Sequence, residues 1–570
     1  MSRQGFLRDV RAHESLAIAR ACSLLTPRSI AVLGGYYAVG IVKALIGSGA
    51  MLLLVDLVIG RAGRSDATFA TRAAGRIAAA MGAPPGATGL AIVLIVALLI
   101  GVVSTFFYYS LDGYLEASLR RRLQERGFAA VMHGDWERLR DMRVGERVGA
   151  VTEEATNVAR YFMALLRGGY NLIALVVFLV VALAVSTKVS VIVAVAGVPV
   201  LVAIKYLFSW QARLAEQMVV ERQGFYADVT ERLSGLFQIK VEGNAAHHVT
   251  AGLKNQSALT TAEIEWWRLR AGINALNVFL PVVIVGALYV WSLVSGTPLQ
   301  ASLQLLAGIG VVGTQALSQA NQFTANLGNV SAYAGSVGPV YDLFSITPEV
   351  WRPLVPERVT RVELHDVSYN YSERAGVRGV SLAFGVGNPL LLMGPSGSGK
   401  TTLANVVAGL YRASKGRVAY VGESGRSYDA VEARPRVGYV PQDILLFQGT
   451  VRENLTGGQG HIADDILVAA LRDAGADVFV SRLGGLDAVI VEAGRSLSGG
   501  ERRRLGIARV LAGHPDVLIL DEVTVGLDEE RKLELLATIG ALSERFVVVA
   551  ITHDSDMAGA ARFNVVRLAA

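Results

Sequence analysis

The stretch Gly394-Pro-Ser-Gly-Ser-Gly-Lys-Thr-Thr402 follows the apolar run Leu390–Met393 and precedes a helix-compatible segment, Leu403–Leu410. It reads G-x-x-x-x-G-K-[ST] in the strand–loop–helix setting that gives this pattern meaning. In the loop Gly394, Pro395, Ser396, Gly397, Ser398 and Gly399, the glycines let consecutive backbone N–H groups turn inward around a phosphate. The following helix then points its positive end at the same place. Lys400 is placed to reach the β- and γ-phosphates of a nucleotide, with the Thr401 hydroxyl on Mg2+ and Thr402 continuing the turn.

Working outward, 570 residues are too many for one compact core, so two or more domains are expected. The chain is 52% hydrophobic and only 18% charged, with mean hydropathy +0.42, which is too apolar for an ordinary soluble enzyme. Its net charge of +6 in such a background places basic residues at a membrane surface and not on nucleic acid. Cys22 is the single cysteine, so no intrachain disulfide can form. Arg3–Arg20 alternates charge with small apolar residues and does not read as a cleaved signal.

Apolar stretches long enough to cross a bilayer fall at about 30–59, 89–111, 168–187, 189–209, 273–295 and 301–323, giving six expected spans. The arginine-rich segment after the second, from Arg120 to Arg147, orients the set with that segment in the cytoplasm. Both termini and the phosphate loop then lie inside. The loop at about 60–88 carries Arg61, Arg64, Arg72 and Arg76 and runs against this rule. The segments 112–170 and 210–272 read as helical, so the spans continue into the cytoplasm, with short crosswise helices near Trp136–Gly145 and Ala227–Gly243. Phe69–Met81 is a short amphipathic helix stopped by Pro84-Pro85.

Polar residues inside the spans narrow the chemistry. Gln315, Gln319, Gln322, Asn326 and Asn329 recur at alternating intervals of four and three, so they share one helix face. Such a stripe lines a watery cavity or forms a hydrogen-bonded seam between helices. Lys43 lies near the centre of the first span; its partner is an anionic substrate group, a carboxylate of another chain, or backbone carbonyls.

Thr347-Pro-Glu-Val-Trp-Arg-Pro-Leu-Val-Pro356 breaks helix three times and marks a linker. Beyond it, Arg361–Tyr369, Leu390–Met393, Val437–Val440, Val517–Leu520 and Val547–Ile551 alternate with helical patterns, which predicts a parallel sheet covered on both faces. Asp521 and Glu522 end one strand, suiting a Mg2+ shell and polarisation of an attacking water. Gln442 follows another strand and is placed to reach Mg2+ and that water. Leu497-Ser-Gly-Gly-Glu501 is a second glycine turn at a helix start, hence a second phosphate site, and one chain rarely needs two. His553 follows the last of these strands, within reach of a γ-phosphate.

These motifs, in this order over about 358–558, resemble the ABC transporters of exporter type, half-transporters with one membrane domain and one ATPase domain. The resemblance implies an all-α transmembrane domain (1–345, six helices with long cytoplasmic extensions), a linker (346–357) and an α/β P-loop NTPase domain (358–570). It matches Tyr371 to the aromatic residue that stacks on adenine, Gly394–Thr402 to the Walker A loop and Gln442 to the Q-loop. Leu497–Glu501, with Ser498, Gly499 and Gly500, matches the signature motif, Asp521 and Glu522 the Walker B pair, Gly526-Leu-Asp528 the D-loop, and His553 the switch histidine. Glu501 stands where glutamine is usual, and Val525-Gly526-Leu527 replaces a commoner Ser-Ala-Leu form; Glu492 is a loose match to the acidic residue ahead of the signature.

By the same resemblance, the signature of one chain completes the ATP site of a second, so two copies are required, as a homodimer because every motif is intact. ATP and Mg2+ are the implied cofactors, and an amphiphile such as a lipid or lipid-linked sugar is the leading substrate, with Lys43, Gln315, Gln319, Gln322 and Asn326 as candidate contacts. Peptide or drug export, an importer on the same scaffold, and an ABC-type channel are the alternatives. The expected location is the bacterial inner membrane.

Overall fold

The computed structural model describes residues 27–58, 69–142, 144–185, 235–295, 299–349, 354–370, 376–457, 462–491, 497–522, 529–553 and 563–568, with scattered positions between 206 and 233. The chain divides into two compact units, Met1–Pro348 and Glu349–Ala570.

The first unit is helical. Its elements are α1 (Pro27–Val58), α2 (Phe69–Ala80), α3 (Ala87–His133), α4 (Trp136–Asp141) and α5 (Val144–Gly149). A π-helical turn, Ala150–Glu154, leads into α6 (Ala155–Val185), followed by α7 (Leu236–Glu242), α8 (Ala245–Ser295), α9 (Leu299–Ala334) and α10 (Val337–Ser345). At about 1.5 Å per residue, the 47 residues of α3 and the 51 of α8 run roughly 70 and 77 Å. A bilayer's hydrocarbon core is about 30 Å thick, so both helices continue far beyond it. Among the described residues, Ile30–Leu54, Ala87–His133 and Gly145–Phe178 are stretches long and apolar enough to cross a membrane. The expected spans at 273–295 and 301–323 fall within α8 and α9, and the one at 189–209 lies outside the described residues.

Leu98, Leu99, Val102, Val103 and Phe106 are exposed on α3 in the single chain, as suits a helix facing lipid or other apolar helices. The other face packs. Tyr36 of α1, Tyr108 of α3, and Met163 and Tyr170 of α6 form one buried cluster, which Ala316 of α9 joins. Glycine permits the closest approach: a Cβ at Gly40 would meet Tyr170 Cε2 at 2.5 Å. Below this layer, Arg167 of α6 donates to both carboxylate oxygens of Asp112, at 2.7 and 2.9 Å, and to Glu116 at 2.7 Å, tying α6 to α3. At the end of α3, Asp135 caps α4 by accepting from the Glu137 N–H, and its own N–H donates to Thr347 O. At the other end, Thr71 donates to the buried Asp56 at 2.6 Å and anchors α2.

The second unit holds three sheets. Strands β1 (Val359–Asn370), β2 (Gly376–Gly385), β4 (Lys415–Gly422) and β5 (Ser427–Asp429) form an antiparallel sheet in the order β2-β1-β4-β5. Strands β3 (Leu390–Met393), β6 (Val437–Val440), β9 (Val517–Asp521), β10 (Val547–Ile551) and β11 (Asn564–Arg567) form a parallel one, ordered β11-β3-β10-β9-β6. A short pair, β7 (Gly449–Thr450) and β8 (Val489–Ile490), is antiparallel. The helices are α11 (Lys400–Val407), α12 (Val451–Thr456), α13 (Asp464–Asp473), α14 (Asp477–Leu483), α15 (Gly499–Ala512) and α16 (Glu529–Ser543).

One expectation is corrected here. Arg361–Tyr369 does not join the parallel sheet; it is the core of β1, paired antiparallel on both sides. Its buried residues alternate with exposed ones, the signature of a strand with one wet face. The remaining four strands are covered on both faces. Val517, Ile519, Val547 and Val549 point into the cluster shared with β1 and α11, while Leu518, Leu520, Val548 and Ala550 point into that of α15 and α16.

Candidate active site

The carboxyl ends of β3, β10, β9 and β6 lie side by side, the edge at which parallel sheets present ligand sites. The loop leaving β3 is held open by glycine: Gly394, Gly397 and Gly399 all have positive φ, where an L side chain is strained. A Cβ at Gly399 would meet Val377 at 2.7 Å, and one at Gly394 would meet Ser398 Oγ at 2.8 Å. Pro395 and Ser396 ride the exposed outer rim. Lys400 is buried at the start of α11, and its ammonium donates to Gly394 O at 2.8 Å and Pro395 O at 2.9 Å. Ser398 Oγ is buried without a hydrogen-bond partner. A glycine-held loop with an orphaned hydroxyl and an ammonium folded across it, at the start of a helix, fits a nucleotide phosphate chain.

Register explains the rest. Asp521 lies beside Ile551 on adjacent parallel strands, so the residues following each strand meet. Glu522 Oε1 and His553 Nε2 are 2.7 Å apart. Glu522 adopts φ 49°, a region costly for a non-glycine residue, and its N–H donates to Ile551 O. Its side chain is 16% exposed against 39% for His553, so both are reachable from solvent. Asp521 is buried; its Oδ2 accepts from Tyr439 Oη at 2.8 Å and from Thr401 Oγ1 at 3.4 Å. Burial pushes the Asp521 carboxyl above its ordinary pKa, against the opposing pull of the Tyr439 hydrogen bond. The Tyr439 phenol is raised for the same reason, burial first and then the Asp521 charge. Ligands in adjacent positions on an octahedral ion with bonds of about 2.1 Å sit about 3 Å apart, so the two hard oxygens of Thr401 and Asp521 fit Mg2+.

Gln442 follows β6 by two residues and is exposed at the same edge. Ser498, Gly499 and Gly500 form the first turn of α15, away from this cluster in sequence and capped internally. Ser498 accepts from the Glu501 N–H, and Glu501 Oε2 accepts from the Ser498 N–H at 2.9 Å and from Ser498 Oγ at 2.8 Å. The backbone bond, followed by the hydroxyl bond, holds the Glu501 carboxyl below its usual pKa. Tyr371 and Asp528, with Glu492, lie outside the described residues.

In the first unit, the Lys43 ammonium lies 4.5 Å from the Tyr108 ring centre and 4.8 Å from that of Tyr109. Aromatic faces are thus its partners, a possibility that a carboxylate-or-carbonyl search overlooks. Lys43 lies at the middle of the apolar stretch Ile30–Leu54 of α1, where the sequence puts it. Gln315, Gln319, Gln322 and Asn326 all lie on α9. Gln319 Oε1 is buried and unpaired, Gln322 donates to Ser318 Oγ at 3.4 Å, and Asn326 donates to Gln322 O at 2.9 Å. Asn326 and Phe323 face Gly168 of α6, so part of the stripe lies against a helix.

Sequence reading passed over Tyr439. It sits two residues before Asp521 in strand register, opposite Ile519, which was visible only once β6 and β9 were known to be neighbours.

Comparison with known proteins follows the same division. Residues 40–251 match the ABC transporter transmembrane region, and residues 377–525 match the ABC transporter family model. An ATP-dependent lipid A-core flippase of Syntrophus aciditrophicus is 34% identical over 200 residues, 35% of this chain and 33% of that protein. The β-(1→2)glucan export ATP-binding/permease protein NdvA of Bartonella bacilliformis is 27% identical over 325 residues, covering 55% and 53%. A mycobactin import ATP-binding/permease protein, IrtB of Mycolicibacterium smegmatis, is 32% identical over 234 residues, covering 41% of each. The matched part of this chain thus spans between a third and about half the length of these relatives. The fold matches a solved bacterial Atm1-family ABC exporter with TM-score 0.73 at 20% identity, over 94% of this chain and 95% of that one. The apolar helices of the first unit make the chain an integral membrane protein. It belongs to the ABC transporter family, with a transmembrane region followed by a nucleotide-binding domain in the fold of a solved exporter.

Proposed function

We propose that the chain is an ATP hydrolase coupled to transport, working as a homodimer in a bacterial inner membrane with both termini and the ATPase domain in the cytoplasm. Residues 1–345 form its six-span membrane domain, 346–357 the linker and 358–570 the ATPase domain. The observation that carries the reading is the convergence of Lys400, Thr401, Asp521, Glu522 and His553 at the ends of neighbouring parallel strands.

In this reading, residues 394–402 cradle the phosphates, Tyr371 stacks on adenine, and Asp528 with Ser498, Gly499 and Gly500 serves the site shared with a second copy. Thr401, Asp521 and Gln442 would hold Mg2+, which supplies charge neutralisation between the β- and γ-phosphates. Glu522 takes a proton from the attacking water, and the His553 imidazole, which caps that carboxylate at 2.7 Å, is freed to meet the γ-phosphate. ATP favours the closed pair of domains because it binds that state better, and this bias moves the membrane helices.

The substrate is an amphiphile with a polar or anionic head, a lipid or lipid-linked sugar foremost. Lys43 on its tyrosine faces and the amides of Gln315, Gln319, Gln322 and Asn326 support that choice, as does the similarity to a flippase. The relatives include an exporter and an importer, so direction is a matter for measurement. Transport into inside-out vesicles with candidate lipids, sugars and peptides tests the reading: wild type accumulates one class in an ATP-dependent way. Glu522→Gln is expected to lower ATP turnover by about 10²–10⁴-fold and to stop transport. Turnover and transport that survive this substitution would sink the assignment. Lys43→Ala should depress stimulation of ATPase by an anionic amphiphile, and an unchanged stimulation curve would remove Lys43 from the substrate site.

A further inference from the structure

Tyr439 does something that neither the phosphate loop nor the acidic pair accounts for. Its ring is part of the packing between β6, β9 and the domain core, yet its hydroxyl ends on a single atom, Asp521 Oδ2, at 2.8 Å. That oxygen also accepts from Thr401 Oγ1 at 3.4 Å. Asp521 is buried, so a carboxylate there has few sources of hydrogen bonds and is free to rotate about its last torsion unless something fixes it. Register supplies the fixing group: Tyr439 pairs with Ile519, two residues before Asp521 on the neighbouring strand, hence on the same face of the sheet.

We propose that Tyr439 is a positioning residue for Mg2+: its phenol occupies one lone pair of Asp521 Oδ2 and so aims the carboxylate toward Thr401, where the ion is to be held. This deepens the functional reading above and rests on it, because it takes Asp521 as a ligand. A carboxylate ligand that is itself hydrogen-bonded is oriented before the ion arrives, and loss of such an outer partner typically weakens metal affinity about 10–100-fold. Lys400 does not take this role, because its ammonium is committed to Gly394 O and Pro395 O.

The test is Tyr439→Phe in the full-length protein, reconstituted in nanodiscs. Mn2+ binding in the presence of saturating nucleotide is read by electron paramagnetic resonance, and nucleotide affinity is read separately in EDTA. The variant should bind Mn2+ about 10–100-fold more weakly while metal-free nucleotide affinity stays as in wild type. Asp521→Asn, measured alongside, separates two kinds of failure. If it leaves Mn2+ affinity intact, the assignment of Asp521 as a ligand is wrong and the proposal goes with it. If it abolishes Mn2+ binding while Tyr439→Phe changes affinity by less than about threefold, the active-site reading stands and Tyr439 has no positioning role. A Tyr439→Phe protein that also loses nucleotide binding in EDTA would show that the hydroxyl maintains the fold instead, and overturns the proposal equally.

Discussion

The signature turn turns on one carboxylate. Glu501 Oε2 accepts both the N–H and the hydroxyl of Ser498, and these bonds hold its pKa below the usual carboxylate range, so it is charged at neutral pH like any glutamate. A negative charge thus sits at the N-terminus of α15, the place where a second copy's γ-phosphate is proposed to arrive. The cap stabilises the helix start, but it engages the Ser498 proton and repels an incoming anion. Glutamine can accept the same N–H without the charge. We therefore expect Glu501→Gln to lower the ATP concentration for half-maximal ATPase by about threefold to tenfold, since a screened like-charge term is on the order of 1 kcal/mol. Maximal turnover should change little. An ATP titration of the reconstituted protein that superimposes on wild type would show the charge to be neutral in the cycle. Lys43 shows a similar economy: with ring faces as partners, its ammonium keeps its donors available while its charge is not left bare.

Elements carry these residues with unequal legibility. The run 394–402 could be read in sequence because its geometry is local; each glycine acts on its own backbone. Asp521 and Glu522 could be read because a continuous apolar strand ending in carboxylates is also a local pattern. The placement of Arg361–Tyr369 failed because the alternation of β1 was treated as equivalent to the continuous runs of β9 and β10. Tyr439 and Lys43 were opaque for a different reason. Their partners are set by which strands or helices are neighbours, and no local spacing encodes that. The stretch 445–456 that straps over α15 after Gln442 belongs to the same class. Arg509 of α15, half-buried, donates to Leu445 O at 2.8 Å, Asn454 O at 2.7 Å and Asn454 Oδ1 at 2.8 Å. Asn454 in turn holds Phe447 through both its N–H and its carbonyl. Removing this charged donor takes the partner from the part-buried Asn454 O, at about 1–3 kcal/mol, while Asn454 Oδ1 keeps the Phe447 N–H. Arg509→Ala should accordingly raise amide hydrogen exchange across 445–456 by more than tenfold while β9 and β10 remain protected. Equal protection in the variant would mean that α15 does not hold the strap.

At the scale of the molecule, one chain carries one phosphate loop and one signature turn, and the reading assigns them to different sites. That assignment makes a prediction that no contact within a single chain can imitate. Lys400→Ala should remove the phosphate grip, and Ser498→Ala the contribution made to the other copy, so each homodimer is expected to be inactive. In a mixed dimer the two lesions fall on the same composite site, because the mutated loop of one chain faces the mutated signature of the other. The second site then combines an intact Lys400 with an intact Ser498. Random assembly makes half the dimers mixed, each with one good site of two, so co-expression of the two inactive chains should restore about a quarter of wild-type ATPase. If both motifs served the same chain's nucleotide, mixing would restore nothing, because every site would contain one lesion. Activity that travels with the doubly tagged mixed dimer and is absent from both homodimer fractions is therefore the signal to look for; a mixture that stays inactive would place Lys400 and Ser498 in one site of one chain.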